Sequence, residues 1–314
     1  MWLLSTDHAE LHFFPSPEKV VGGYAVLSHV WDKEEQSFQD LLALQKECAA
    51  DGSNPRDKAS PKIRCCCEVA ESREFRWIWN DTCCIDKTSS AELSEAIGSM
   101  YCYYSLASAC FAYLADVSDC CGPDGRLHAF RNSMWHKRGW TLQELLAPRL
   151  VVFMSREWTV LGTKFELSAL LQDITGIPDA VLRHEMRLAD LSIATRMSFA
   201  ARRETTRSED RAYSLMGLFD VNITTLYGEG GERAFRRLQE EIMRHSPDTT
   251  LFAWGSALAG YGIDTHTKLE HRSNAYHHSF LFASSPSDFD FQFCPNIRFE
   301  PYTRDEPRLV GMHL

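Results

Sequence analysis

Four short apolar runs, at 24–29, 77–80, 109–114 and 150–154, constrain this chain more than any other feature, because stretches of helical pattern lie between them. Phe38, Leu41, Leu42 and Cys48 fall near one helical face behind Ser37, a plausible N-cap. Ser89 and Glu92 have the spacing of a capping box, and Leu93, Ile97, Met100 and Tyr104 then repeat at helical intervals. Residues 140–146 read as a helix stopped by Pro148, and 165–171 as another. Alternation of this kind, with strands apolar on both faces, predicts an α/β fold: a parallel sheet with helices on both faces. Ligands of such sheets bind beyond the carboxyl ends of the strands. Three of those ends are polar here, at Ser28 and His29, at Asn80 and Asp81, and at Asp116.

The chain has 314 residues, 44% of them hydrophobic, which suits two domains better than one. The pattern predicts an α/β domain over 1–176, a mainly helical region over 177–250 and an irregular or β-rich tail over 251–314. In the helical region Ala212, Leu215, Met216 and Phe219 form one apolar stripe, and Phe235, Leu238 and Ile242 another. Residues 308–314 read as a strand that stops abruptly, so the chain is expected to be part of something longer. A net charge of -10 disfavours nucleic acid and anionic lipid as general partners. The cysteines number eleven, many are adjacent, and none has the C-x-x-C spacing of a zinc site. Reduced thiols, no bound metal and a cytoplasmic location are the expectation, and no run approaches the length of a membrane span.

The helix around Glu144 carries the most chemical information. Leu142, Leu145 and Leu146 can face the sheet, which turns Trp140 and Glu144, one helical turn apart, toward an exposed or cleft-lining face. The plainer alternative is a solvated glutamate paired with Arg138 or Arg149. In WIWNDTCCIDK, residues 77–87, Asp81 can serve as an acid, as an acceptor for a ribose hydroxyl or as the start of an Asx-turn. Cys83 and His29 both follow strands, as a nucleophile and its base would, though nothing in the sequence fixes their separation. Five arginines between Arg196 and Arg211, interleaved with acids, read as a surface ion-pair network. The stretch Gly228 to Gly231 lacks the Lys-Ser/Thr of a phosphate-binding loop.

Four segments together resemble the fungal heterokaryon-incompatibility (HET) domain: YAVLSHVW at 24–31, WIWNDTCCIDK at 77–87, SMYCYYSLASACFAYLAD at 99–116 and SMWHKRGWTLQELLAP at 133–148. Residues 196–242 are similar to the region that commonly comes after it, with Phe199 where a tryptophan is usual. The resemblance implies non-self recognition and programmed cell death. It also implies a distant likeness to TIR domains, which are flavodoxin-like sheets, some of which cleave NAD with a glutamate on a helix. Ser133, Trp135, Trp140 and Glu144 can be laid on that pattern. On this reading Glu144 is catalytic, NAD is a substrate rather than a resident cofactor, and Ser28, His29, Trp31, Asp81, Trp135 and Trp140 bind it. A single carboxylate beside the ribose suffices to stabilise an oxocarbenium-like state, without metal. The rival expectation is a non-enzymatic adaptor that signals by self-association or by assembly with a sensor protein.

Overall fold

In a computed structural model the apolar runs form the centre of one seven-stranded sheet. The structure describes residues 1–120, 122–254 and 281–290. In chain order the strands are β1 (Trp2–Ser5), β2 (Leu11–Phe13), β3 (Ala25–His29), β4 (Trp77–Trp79), β5 (Ala109–Tyr113), β6 (Val151–Met154) and β7 (Val160–Thr163). Their spatial order is β2-β1-β4-β3-β5-β6-β7. The four central strands are parallel, whereas β1 pairs antiparallel with both β4 and β2 on one side and β7 pairs antiparallel with β6 on the other. The expected parallel sheet is this four-stranded centre, and short hairpins extend it at both edges.

Counted alone, the parallel strands stand in the order second, first, third, fourth, which is the flavodoxin-type doubly wound order. The chain leaves β3 to one side and later crosses to the other, so the crevice at the carboxyl end of β3 is the switch point where such folds bind ligands. Every residue of β3 is buried, and it pairs with β5 from Ala25–Ala109 to His29–Tyr113.

Helices over the first part are α1 (Phe38–Asp51), α2 (Pro55–Lys58), α3 (Pro61–Glu71), α4 (Ser90–Leu106), α5 (Pro123–Asn132), α6 (Thr141–Leu146) and α7 (Ser168–Thr175). Ser37 caps α1 with a complete capping box, closed by Asp40. At α4 the box is half made: Ser89 accepts from the Glu92 amide, while the Glu92 carboxylate accepts from the Asp86 amide. The helical region adds α8 (Asp179–Leu182), α9 (Ile193–Ser198), α10 (Asp210–Tyr213), α11 (Met216–Phe219) and α12 (Gly231–His245). Both expected apolar stripes of this region are buried. The reading of the tail as irregular or β-rich falls mostly outside the described residues, as does all of 308–314.

The two regions share one continuous core. The backbone at Arg138 bridges to Glu204 in parallel, the Gly139 amide donating to the Glu204 carbonyl at 2.7 Å and the Glu204 amide to the Lys137 carbonyl at 2.7 Å. The approach is close: a Cβ on Gly139 would sit 2.5 Å from the Thr205 methyl, so a larger residue there requires the Thr205 side chain to turn away.

Candidate active site at the carboxyl end of the sheet

Two linked clusters of polar side chains occupy the switch point. In the inner one, the Trp135 indole donates to Ser28 Oγ at 2.8 Å and Ser28 Oγ donates to Glu144 Oε2 at 2.5 Å. All three are buried, Glu144 only 3% exposed. In the outer one, Asp81 accepts from the Trp31 indole at 2.8 Å and meets His29 Nε2 at 3.1 Å. The sequence therefore names residues that the fold does bring together, at the ends of β3 and β4 and on α6.

The orientation inferred for Glu144 is corrected. All six residues of α6 are buried, since the helix packs against β3, against α4 and against residues 134–137. Arg203, itself buried, donates to the Arg138 carbonyl and to Thr141 Oγ1, each at 2.9 Å, over the first turn of α6. Glu144 is thus neither exposed nor solvated, and its hydrogen bond goes to Ser28 rather than to Arg138 or Arg149.

Burial, reinforced by the Asp81 charge, pushes the Glu144 carboxyl up to about 8 against the pull of Ser28, Arg138 and Tyr104. At Asp81 the same burial would raise the carboxyl, but His29, Lys87 and the Trp31 indole outweigh it and hold it below its ordinary value. The two acidities are driven apart, so that at neutral pH Glu144 is the acid and Asp81 the anion.

A cleft of about 530 Å³ opens beside this pair, within the range of small-molecule sites. Trp31, Asp81 and Trp140 line it, whereas Ser28, His29, Trp135 and Glu144 lie behind its wall. The opposite wall comes from the helical region, through residues 204–207, Asp210 and Tyr227. Sequence reasoning missed this wall together with Lys87, Lys137 and Arg138, which also line the cleft. The signal was present in part, since Lys87, Lys137 and Arg138 stand inside the motifs of residues 77–87 and 133–148.

The arginine stretch is not the expected surface network. Arg202 pairs with Asp290 at 2.9 Å, but Arg203 is buried against α6, Arg196 lies over Phe219 and Arg207 over Tyr227. Cys83 is also no nucleophile for His29: it is buried with a raised thiol, its sulfur directed to the Asn80 carbonyl, while His29 serves Asp81. The glycine-rich loop before α12 holds a carboxylate of the chain itself, with the Gly228 and Gly230 amides donating to Glu209 at 2.9 and 3.1 Å. Among the described residues no group of three or more His, Cys, Asp or Glu side chains is placed to hold a metal, and no helix is long and apolar enough to cross a membrane.

Residues 24–126 match the family model described as heterokaryon incompatibility protein (HET). The chain carries a HET domain. Its matched residues supply β3, β4, α4 and β5, hence Ser28, His29, Trp31 and Asp81, while Trp135, Trp140 and Glu144 lie beyond the match. Residues 233–306 match a domain of unknown function, DUF8212. The chain is similar to the vegetative incompatibility protein HET-E-1 of Podospora anserina, 44% identical over 232 residues. That alignment covers 72% of this chain and 16% of the relative, so the chain spans about one sixth of the relative's length. No solved structure matches the chain.

Proposed function

We propose that this chain acts in vegetative incompatibility, the rejection of non-self partners that ends in cell death, as a cytoplasmic effector that hydrolyses the nicotinamide–ribose bond of NAD after self-association. Similarity to HET-E-1 supports the biological role. The observation that carries the chemistry is the carboxyl pair of opposite protonation at the switch point, with its anionic member on the cleft wall.

The reaction asks little of a protein acid. As the bond between ribose C1′ and the pyridinium nitrogen breaks, its electron pair returns to that nitrogen, and nicotinamide leaves uncharged without needing a proton. Water supplies the new bond to C1′ and gives up a proton. The group required is an anion beside the ribose, to hold its hydroxyls, stabilise the developing positive charge and receive that proton. Asp81 faces the cleft and is ionised. Glu144 stands behind it, and by remaining neutral leaves the negative charge to Asp81. Trp31 and Trp140 offer flat faces for rings.

The test is nicotinamide release from NAD by concentrated, purified chain. Asp81→Asn lowers the rate by about 10²-fold or more. Glu144→Gln, which copies the protonated carboxyl, keeps most of the rate at pH 7. Release that survives Asp81→Asn and vanishes in Glu144→Gln assigns the chemistry to Glu144 instead, and no release from the unaltered chain removes the enzymatic reading.

One observation favours a second reading, in which the domain is an adaptor without turnover: Asp81 already has hydrogen bonds from two side chains, and Glu144 is walled off. Nicotinamide release separates the two, since both assemble with rising concentration and only the effector releases it; a monomer at every concentration in light scattering counts against either.

A further inference from the structure

The two walls of the cleft repeat one arrangement of side chains. On the HET side, the Trp31 indole donates to the Asp81 carboxylate at 2.8 Å, and Lys87 Nζ lies 4.0 Å from the Trp31 ring centroid. On the helical side, the Tyr227 hydroxyl donates to the Asp210 carboxylate at 2.9 Å, and the Arg207 guanidinium lies 4.1 Å from the Tyr227 ring centroid. Each wall therefore presents an aromatic ring, a carboxylate fixed by that ring's polar tip, and a cation resting on the ring face. Trp140 also lines the cleft and supplies a further ring.

Lys87, Lys137, Arg138 and Arg207 all line the cleft, and none makes an ion pair among the described residues, in a chain whose net charge is -10. These four cations outnumber the three carboxylates of the lining, Asp81, Glu204 and Asp210, and none is in direct contact with one, which leaves them able to meet an anion from outside. A cation resting on an exposed aromatic face is weakly held, so moving it onto a phosphate uncovers the ring for stacking at small cost. The carboxylates, oriented but still on the cleft wall, suit the hydroxyls of a sugar.

We infer that the cleft is a two-ended site for a dinucleotide, in which the Tyr227–Asp210–Arg207 set of the helical region binds one base and ribose, the Trp31–Asp81–Lys87 set binds the other, and the cations between them take the phosphates. This rests on the reading of the cleft as a nucleotide site and adds that the region after the HET domain supplies half of it. Arg207 is then a specificity-determining residue that lies far from Asp81 in sequence.

The test is calorimetric titration of the full chain with a carbocyclic NAD analogue, which cannot be hydrolysed, and separately with AMP and nicotinamide mononucleotide. The analogue binds at least about tenfold more tightly than either mononucleotide. Arg207→Ala weakens the analogue about tenfold and weakens one mononucleotide by a similar factor, leaving the other within about twofold. Lys87→Ala shows the opposite choice of mononucleotide. Arg207 is exposed, and an unchanged melting temperature for Arg207→Ala and Arg207→Gln separates lost binding from lost folding. Equal affinity for one-ended and two-ended ligands, an equal response of both mononucleotides to Arg207→Ala, or no nucleotide binding overturns the inference. Binding of the analogue without hydrolysis of NAD discards the hydrolase and leaves the two-ended site standing.

Discussion

At the scale of single residues, the protonation of Glu144 has a measurable signature. Its carboxyl ordinarily titrates near 4.5 and in the folded chain near 8. The folded state holds this proton more tightly than the unfolded state, so the associated stability is fully present below pH 4.5 and lost as pH rises through 8, amounting to about 2–5 kcal/mol. His136 acts in the opposite direction over a lower range. Burial holds its imidazole at about 4 against an ordinary 6.5, so its contribution grows as pH rises between those values. Lys164, buried and lowered to about 8 from 10.5, adds stability only as pH climbs above 8. The interval from pH 6.5 to 8 therefore belongs to Glu144 among these three. Urea unfolding there is expected to show falling stability in the unaltered chain and a flat profile in Glu144→Gln. Equal slopes for both place the proton elsewhere.

At the scale of elements, the contact between α4 and α11 joins the two regions with no room to spare. A Cβ on Gly217 would fall 2.1 Å from the Tyr101 Cβ, a backbone-anchored atom that no side-chain rotation can remove. Gly217→Ala is expected to cost about 3 kcal/mol by forcing α11 away from α4, read as a drop in urea midpoint. The central elements were legible in the sequence because β3, β5 and β6 are apolar runs buried on both faces, and because α1 and α4 open with clear caps. The missed ones carry no such signal. β7 is an exposed or half-buried edge strand of four residues, and α5 has a proline and a glycine in its first turn with only Phe130 buried. For the site, motif and strand ends identified Asp81, Ser28 and Trp135, but the direction of Glu144 was not readable. A helical wheel assumes one face in water, and α6 has none: β3 and α4 pack against it, and Arg203 reaches its first turn from 62 positions away.

At the scale of the whole molecule, the shared core and the Arg138–Glu204 bridge predict that residues 1–176 and 177–250 unfold together. Calorimetry of the full chain is expected to give one transition, and a chain cut after 176 to melt at a lower temperature, since Tyr101 and the first turn of α6 lose their cover. Two separate transitions, with the shorter chain as stable as the longer, would show instead that the halves fold independently.

Gly139 governs how the two regions could change over time. Because the backbone there bonds directly to the backbone of Glu204 with no side chain between, the loop after α5 and the segment near Thr205 form a fitted pair, like a key and the lock cut for it. A chimaera that transplants the first region onto the second region of a distant relative would join halves shaped for other counterparts, and both the seam and the hollow along it would be inherited as one unit or not at all.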